Sequence, residues 1–193
     1  MPPKAKISRE MIAEAGMQLV REGGIAALNA RAAAKKLGCS TQPVLYHYKN
    51  MQELKAAVYA QADAFHTAYL EQQEHPHPLL NMGLRYIRFG AEEPHLFRFL
   101  FQSDLLPSHD IASLLRQPEV TPMVMGVAAA TGLPAEDALR VFSLLFLTVH
   151  GCASLLANNS AVFDPAYFTA VLEDSLTGAV CAVRSHQKGA QML

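Results

Sequence analysis

The chain has 193 residues, of which 51% are hydrophobic and 17% are charged, and its formal net charge is −1 at pH 7. A chain of this length and composition can bury a substantial core, which excludes an intrinsically disordered protein. Its three cysteines form no CxxC pair and no basic, apolar leader opens the sequence, so we expect a reduced, cytoplasmic protein. The longest apolar run, residues 141–157, is shorter than the roughly 20 residues that a membrane span needs.

Basic residues are concentrated near the start of the sequence. Residues 1–60 hold nine Lys or Arg and four Asp or Glu, a balance of +5. Residues 61–193 hold seven bases and thirteen acids, a balance of −6. Because a basic surface attracts polyanions, the first third is expected to contact one, unless it is simply a solvated basic face.

Four short helices are predicted over the first 73 residues, each opened by a residue whose side chain can accept a hydrogen bond from the first turn. In chain order these capping residues are Ser8, Asn29, Ser40 and Asn50. Gly23-Gly24 ends the first helix and Gly38 the second, because glycine adopts backbone conformations that other residues avoid. The fourth helix is predicted over residues 50–73, before the alternating histidines and prolines of residues 75–78.

The second and third helices, joined by a Gly-containing turn, have the spacing of a helix-turn-helix, whose second helix is sized for the DNA major groove. Many helical domains contain such a corner without binding DNA. Here the third helix carries hydrogen-bonding side chains where a core role would favour apolar ones. We predict base contacts from Thr41, Gln42 and Tyr46, phosphate contacts from Arg31, His47 and Lys49, and a further DNA contact from Ser40.

Residues 8–58 resemble, without gaps, the DNA-binding domain of the tetracycline-repressor (TetR) family. The family pattern is a helix ending in Ala-x-x-x-Gly, then Val-Ser, a recognition helix ending in Leu-Tyr-x-His-Phe, and Ser-Lys-x-x-Leu. Val44 to Tyr48 occupy the end of that recognition helix. Two positions depart from the pattern: Leu45 replaces a phosphate-binding Tyr, and Met51 replaces a Lys on the backbone. The resemblance implies a homodimeric transcriptional regulator, usually a repressor that leaves a palindromic operator when a small apolar effector binds.

From residue 78 onward the pattern is helical, without strand alternation, so the fold class is predicted as all-α. We expect a helix-turn-helix DNA-binding domain at residues 1–50 and an effector-binding and dimerisation domain at residues 74–193. The stretch Val141 to Val149 is apolar nearly all round, and Asp164-Pro165 opens a final helix with an apolar stripe. The apolar faces of such helices must be buried, either within the domain or against a partner subunit. The predicted dimer interface comprises Phe146, Cys152, Leu156, Phe168, Leu172, Ser175 and Ala179.

The second half is also similar, more loosely, to a C-terminal branch of the same family with Pro-x-Leu-(Tyr/Phe)-Arg and Trp-x-x-x-His-Gly motifs. Pro94 to Arg98 and Val149-His150-Gly151 echo these motifs, although the chain has no Trp. Because methionine is flexible and aromatic rings are broad, they can shape an adaptable pocket, although a packed core uses the same residues. The predicted effector pocket draws on Tyr86, Arg88, Phe97, Phe101, Met123, Met125, Phe142, Phe146 and His150.

Other chemistry is weakly indicated. His75 and His77 can bind a metal, but two histidines between prolines more often form a polar loop, and Cys39 is more typical of a buried turn cysteine than of a redox sensor. No phosphate loop, HExxH or GxSxG motif occurs, so we predict no catalytic residue, metal or cofactor. Two alternatives stay open. One is a helical enzyme or lipid-binding module whose first helices only resemble a helix-turn-helix, and the other is a DNA-binding dimer that needs no ligand.

Overall fold

The computed structural model describes residues 7–105, 110–159 and 161–190. Within these ranges the chain forms α-helices and two short 3-10 helices (Ile25–Ala27 and Pro118–Val120), with no β-strand, which confirms the predicted all-α class. The α-helices are α1 (Arg9–Gly23), α2 (Ala30–Lys36), α3 (Thr41–His47), α4 (Met51–Leu70), α5 (Pro78–Glu92), α6 (Pro94–Phe101), α7 (Ile111–Leu114), α8 (Thr121–Thr131), α9 (Ala135–Asn159) and α10 (Pro165–Ala190).

The chain divides into two compact units. One, which we call the head, comprises Met1–Tyr69 and Glu93–Leu106, and the other, the body, comprises Leu70–Glu92 and Pro107–Leu193. The sequence placed residues 93–106 in the second domain, but in the structure they belong to the head. The apolar side chains of residues 93–106 predict that this segment is buried, but they do not indicate which helices it packs against.

The helix starts in the head follow the local signals. The Ser8 hydroxyl accepts a hydrogen bond from the Met11 N–H at 3.2 Å, and Asn29 Oδ1 accepts one from the Ala32 N–H at 2.9 Å. Gly38 has a φ of 64°, in the left-handed region that glycine adopts at little cost. Ser40 occupies the N-cap of α3, although its hydroxyl makes no capping hydrogen bond. The fourth helix ends at Leu70, a few residues before its predicted end.

In the head core, α1 and α4 approach each other closely at Gly16. A Cβ added at Gly16 would lie 2.5 Å from Val58 Cγ2, so only glycine leaves room for this contact. Ile12, Leu54 and Val58 are all at most 1% exposed. Helix α6 joins this core: the Tyr59 hydroxyl of α4 donates to the Leu100 carbonyl at 3.2 Å, and the fully buried Leu96, Phe97 and Leu100 lie on α6.

The body is organised around α5, which packs against α9 and α10. A Cβ at Gly90 would lie 2.5 Å from the Ala153 carbonyl oxygen of α9, and one at Gly83 would lie 2.9 Å from Leu172 Cδ1 of α10. A second apolar cluster joins α8, α9 and α10 through Val127, Val141, Ala179 and Val183, among others. Two faces of α9 are therefore covered by the chain itself.

Polar contacts tie the chain entering α5 to that helix. Asn81 Oδ1 accepts a hydrogen bond from the Glu74 N–H and another, at 2.9 Å, from the His75 N–H. The Arg88 guanidinium donates to the Glu74 carboxylate, and this hydrogen bond holds the pKa of Glu74 below its usual value. The 74–77 segment is thereby held on the surface of α5.

Candidate nucleic-acid interface

Helix α3 presents one face to the head core and another to solvent. Val44 is 1% exposed, whereas its neighbours Leu45 and Tyr46 are 59% and 82% exposed. Gln42 is also exposed, and it shares a helix face with Leu45 and Tyr46 because residues three and four apart are neighbours on a helix surface. The outward face of α3 therefore combines an amide, an aliphatic side chain and a phenol.

The predicted DNA-contact residues lie on or beside this face. Ser40, Gln42, Tyr46 and Lys49 are exposed on α3 and at its two ends, and Arg31 is exposed on α2. Thr41 and His47 are half-buried. These placements leave five side chains accessible to a nucleic acid, and all seven DNA contacts stay predictions.

His47 has a contact that sequence reasoning missed. Its Nε2 lies 3.0 Å from the carbonyl oxygen of Ile7, and because a carbonyl only accepts, the ring nitrogen is the donor. That nitrogen is therefore engaged within the head in the absence of DNA. The two residues are 40 positions apart, so no local pattern in the sequence could have paired them.

Arg9 and Tyr48 hold the start of α1 against the end of α3. Arg9 Nη1 donates to the His47 carbonyl at 3.0 Å, and the Tyr48 hydroxyl donates to the Arg9 carbonyl at 2.9 Å. The guanidinium also lies 4.4 Å from the centre of the Tyr48 ring, within cation–π range. Burial raises the pKa of Tyr48, so the phenol stays protonated and able to donate. These contacts fix the C-terminal end of α3.

The other small chemical candidates are placed as follows. Cys39 is half-buried in the turn between α2 and α3. His75 Nδ1 accepts a hydrogen bond from the His77 N–H at 3.1 Å. Within the described part of the chain, no three His, Cys, Asp or Glu side chains converge in a way that would hold a metal ion.

In the body, four of the nine predicted effector-pocket residues come together. The rings of Phe142, Phe146 and His150 follow one another along α9, with centroids 6.2 and 5.6 Å apart. Tyr86 of α5 lies beside them, and its hydroxyl oxygen is 3.0 Å from His150 Nδ1. Burial lowers the pKa of His150, which favours the neutral imidazole in this aromatic group.

The other five pocket residues are placed differently. Phe97 and Phe101 belong to the head, where their rings lie 5.1 Å apart. Met125 is 53% exposed and Met123 is half-buried. Arg88 pairs with Glu74 and lies 4.3 Å from the centre of the Phe163 ring. The nine residues therefore belong to two different units, and the effector pocket stays a prediction.

The body also has an open cleft of about 490 Å³, which none of the nine residues lines. Its wall is formed by residues of the 74–75 segment, α5 and the first turns of α10. These lining residues are Glu74, His75, Leu84, Pro165, Ala166, Thr169, Ala170 and Glu173.

The predicted dimer-interface residues mostly face the interior of the body. Leu156, Phe168, Leu172 and Ala179 are each at most 8% exposed within the single chain, and Phe146, Cys152 and Ser175 are half-buried. The large exposed apolar side chains of α9 are instead Leu144, Leu147 and Leu155. Four of the seven predicted residues therefore contribute to the chain's own core, α9 has an exposed apolar stripe on another face, and the dimer interface stays a prediction.

Two helices of the body are unusually apolar for their exposure. Among the described residues, α9 and Pro165–Gln187 of α10 are long and apolar enough to cross a membrane, as core helices of soluble proteins also are. In the most apolar 18-residue stretch of each helix, only 28% of α9 and 22% of α10 is buried. Both helices nevertheless pack within the body, α9 against α5 and α8, and α10 against α9 and α5.

Comparison with known proteins places this architecture. Residues 79–183 match the family model described as "Tetracyclin repressor-like, C-terminal domain". A transcriptional regulator from Rhodococcus sp. Rha1 is 19% identical, with a TM-score of 0.60 over 91% of this chain and 97% of that one. The multidrug binding protein EbrR, solved with imidazole, is 18% identical, with a TM-score of 0.47 over 88% and 95% of the two chains. No curated protein matches the sequence. Since the family model covers more than half of the chain, this protein belongs to the tetracycline-repressor-like family of transcriptional regulators.

Proposed function

We propose that this protein is a cytoplasmic, homodimeric repressor that binds a palindromic operator through α3 and is released by a small apolar effector. The observation that carries the proposal is the outward face of α3 on a basic head, with Gln42, Leu45 and Tyr46 accessible to DNA. Exposed Arg31, Lys35 and Lys49 supply positive charge nearby in sequence, whereas Lys36 pairs with Glu22 at 2.7 Å. Contacts from Arg and Lys to phosphate provide most of the affinity of such heads.

Dimerisation through α9 is supported by its exposed apolar face. Leu144, Leu147, Gly151 and Leu155 recur at helical spacing and are all exposed in the single chain. A contiguous apolar face of this kind is typical of a subunit interface. In a two-fold dimer the same face of the second copy covers it.

Two helical glycines give independent support for a close partner. Glycine within a helix costs about 1 kcal/mol relative to alanine, so it is retained where a neighbour must come close. Apart from its chain neighbours and the backbone of its own helix, a Cβ at Gly151 of α9 or at Gly178 of α10 would meet no atom of the described residues within 4 Å. At Gly83 and Gly90, in contrast, the added Cβ meets another helix of the same body. Close approach by a second copy would account for Gly151 and Gly178, in the same way that packing within the chain accounts for Gly83 and Gly90.

Selection of binding sites from random DNA with the full-length protein tests the operator hypothesis. A two-fold dimer presents two α3 helices, so the selected sites should be palindromic, with affinity falling steeply as salt concentration rises. Gln42→Ala should change the preferred sequence, whereas Lys49→Ala should weaken all sites about equally. Recovery of no preferred sequence at any salt concentration would overturn the proposal.

The effector is proposed to bind at the aromatic group of Tyr86, Phe142, Phe146 and His150. Aromatic walls provide apolar area, and the Tyr86–His150 hydrogen bond offers a polar pair that a ligand carbonyl or carboxylate can enter. A true effector must both stabilise the protein and lower its affinity for the operator, because the coupling between the two sites is reciprocal. Thermal melting against a panel of hydrophobic compounds, followed by operator release, measures both effects.

The aromatic group and the open cleft can be told apart by a matched pair of variants. Phe146→Ala should abolish stabilisation by a compound that binds at the aromatic group, whereas Ala170→Leu, which narrows the cleft, should leave it unchanged. If no compound of the panel stabilises the protein, a dimer that binds DNA without a ligand is the better description.

A further inference from the structure

Leu45 is an exposed aliphatic side chain on the helix that faces DNA in the proposed function. It is 59% exposed, although the preceding residue, Val44, is buried in the head. It has no hydrogen-bonding group, so it cannot hold a phosphate in the manner of the Tyr usual at this position. Single exposed leucines are common on protein surfaces, but this one shares the outward face of α3 with the exposed Gln42 and Tyr46.

The DNA major groove contains one apolar group that a leucine can recognise. Each base pair presents hydrogen-bond donors and acceptors there, and thymine alone adds a 5-methyl group. Contact with that methyl group removes apolar surface from water on both partners, which is favourable, whereas contact with a phosphate would desolvate the charge without a hydrogen bond.

We propose that Leu45 is a specificity-determining residue that recognises the 5-methyl group of a thymine in each operator half-site. The inference rests on the proposed function, because it requires α3 to lie in the major groove. It adds a recognition contact at a position where the family pattern would place a phosphate contact.

The neighbouring side chains favour A·T pairs at the same place. Gln42 precedes Leu45 by three residues and therefore lies on the same helix face. A glutamine amide pairs with the N6 and N7 edge of adenine, whereas guanine is usually read by Arg or Lys and cytosine by a carboxylate. The outward face, made of Gln42, Leu45 and Tyr46, offers an amide, an aliphatic group and a phenol. Each half-site should therefore contain an adenine that Gln42 reads, with the thymine that Leu45 contacts in the same base pair or in an adjacent one.

Base substitution in the selected operator tests this contact directly. Deoxyuridine differs from thymidine only by the missing methyl group, so duplexes are prepared with one thymine of each half-site replaced in turn. Affinities of the full-length protein and of Leu45→Ala are measured for each duplex by fluorescence anisotropy. At one thymine position the wild-type protein should lose about fourfold in affinity per half-site, the value expected for one methyl-sized apolar contact.

The variants give the contact a distinct signature. Leu45→Ala should bind the thymine operator more weakly and should no longer distinguish thymine from uracil at that position. Leu45→Met keeps an apolar side chain and should retain the discrimination. Ile25→Ala, which removes another exposed apolar side chain of the head (36% exposed), should behave as wild type. Because Leu45 is exposed, its variants should melt at the wild-type temperature.

Two results would overturn the proposal in different ways. If the protein selects a specific operator but wild type and Leu45→Ala respond equally to every uracil substitution, thymine recognition by Leu45 is wrong and the repressor proposal stands. If selection yields no specific site, both are wrong.

Discussion

The guanidinium of Arg21, in the last turn of α1, donates two hydrogen bonds to the carboxylate of Glu93, the residue that precedes α6. The Nε–Oε2 distance is 2.8 Å, and the second bond joins Nη2 to Oε1. Glu93 is 7% exposed, whereas the Arg21 side chain is 42% exposed. The hydrogen bonds that Arg21 donates to Glu93 raise the pKa of Arg21. The pair joins two parts of the head that are 72 positions apart in sequence.

Glu93→Gln should destabilise the head by about 2 kcal/mol. Removing one member of a buried pair leaves the other charge uncompensated, and the partial exposure of Arg21 moderates that penalty. Urea unfolding at pH 7 measures the change. Glu22→Gln is the matched control, because it breaks the exposed pair with Lys36 and should cost at most about 0.5 kcal/mol. Equal losses in the two variants would show that the Arg21–Glu93 pair does not stabilise the head as described.

Tyr48→Phe should lower the free energy of unfolding by about 1 kcal/mol, because it removes the hydrogen bond to the Arg9 carbonyl and keeps the ring. Arg9→Ala should cost more, since it also loses the bond to the His47 carbonyl and the ring contact. Denaturant unfolding checks both values. Tyr46→Phe serves as the control, because its ring is 82% exposed, and a loss as large as that of Tyr48→Phe would contradict the assignment.

The head should lose stability as the pH falls from 6.5 to about 4. Burial lowers the pKa of His66 to about 4 from its ordinary value of 6.5, so over this range the unfolded chain binds a proton that the folded chain does not. Stability from this group is complete above pH 6.5 and decreases toward pH 4, by about 3 kcal/mol in total.

Urea unfolding at several pH values measures this dependence. His66→Gln should flatten the slope, whereas the exposed His77→Gln should leave it unchanged. If wild type and His66→Gln have the same slope between pH 6.5 and 4, the assignment to His66 fails.

Leu147→Glu should convert the proposed dimer into a folded monomer, because Leu147 is 49% exposed in the single chain and a charge there is tolerated without a partner. Leu172→Glu should unfold the body instead, since Leu172 is 3% exposed and its new carboxylate would be buried. Sedimentation and circular dichroism separate the two outcomes. Met125→Glu, at another exposed site of the body, should remain dimeric. A dimeric Leu147→Glu variant would place the interface on another surface.

The helices of the head could be predicted because their signals are local. Ser8 and Asn29 each bond an N–H three residues away, and Gly38 takes the left-handed conformation that its position in the turn requires. The exposed face of α3 follows in the same way from the polar residues beside the buried Val44. Long-range contacts, such as the hydrogen bond between His47 and Ile7, could not be predicted, because no local sequence pattern indicates them.

The dimer interface is harder to predict from the sequence, for a different physical reason. Helix α9 carries apolar residues on more than one face, and periodicity shows that such faces must be covered without showing by what. The buried stripe of Leu156 and the exposed stripe of Leu147 look alike in sequence. Only the position of α5 beside α9 distinguishes cover by the chain itself from cover by another copy.

The head is assembled from two stretches of chain, with the whole of the body helix α5 between them. A fragment that stops after α4 would lack Leu96, Phe97 and Leu100, and would expose the apolar surface of α1 and α4 that α6 covers. During synthesis the DNA-binding unit can therefore complete its fold only after about residue 101 has left the ribosome, when α5 has already emerged. For the same reason, a chimera that exchanges DNA specificity between relatives should transplant residues 93–106 together with the first 69.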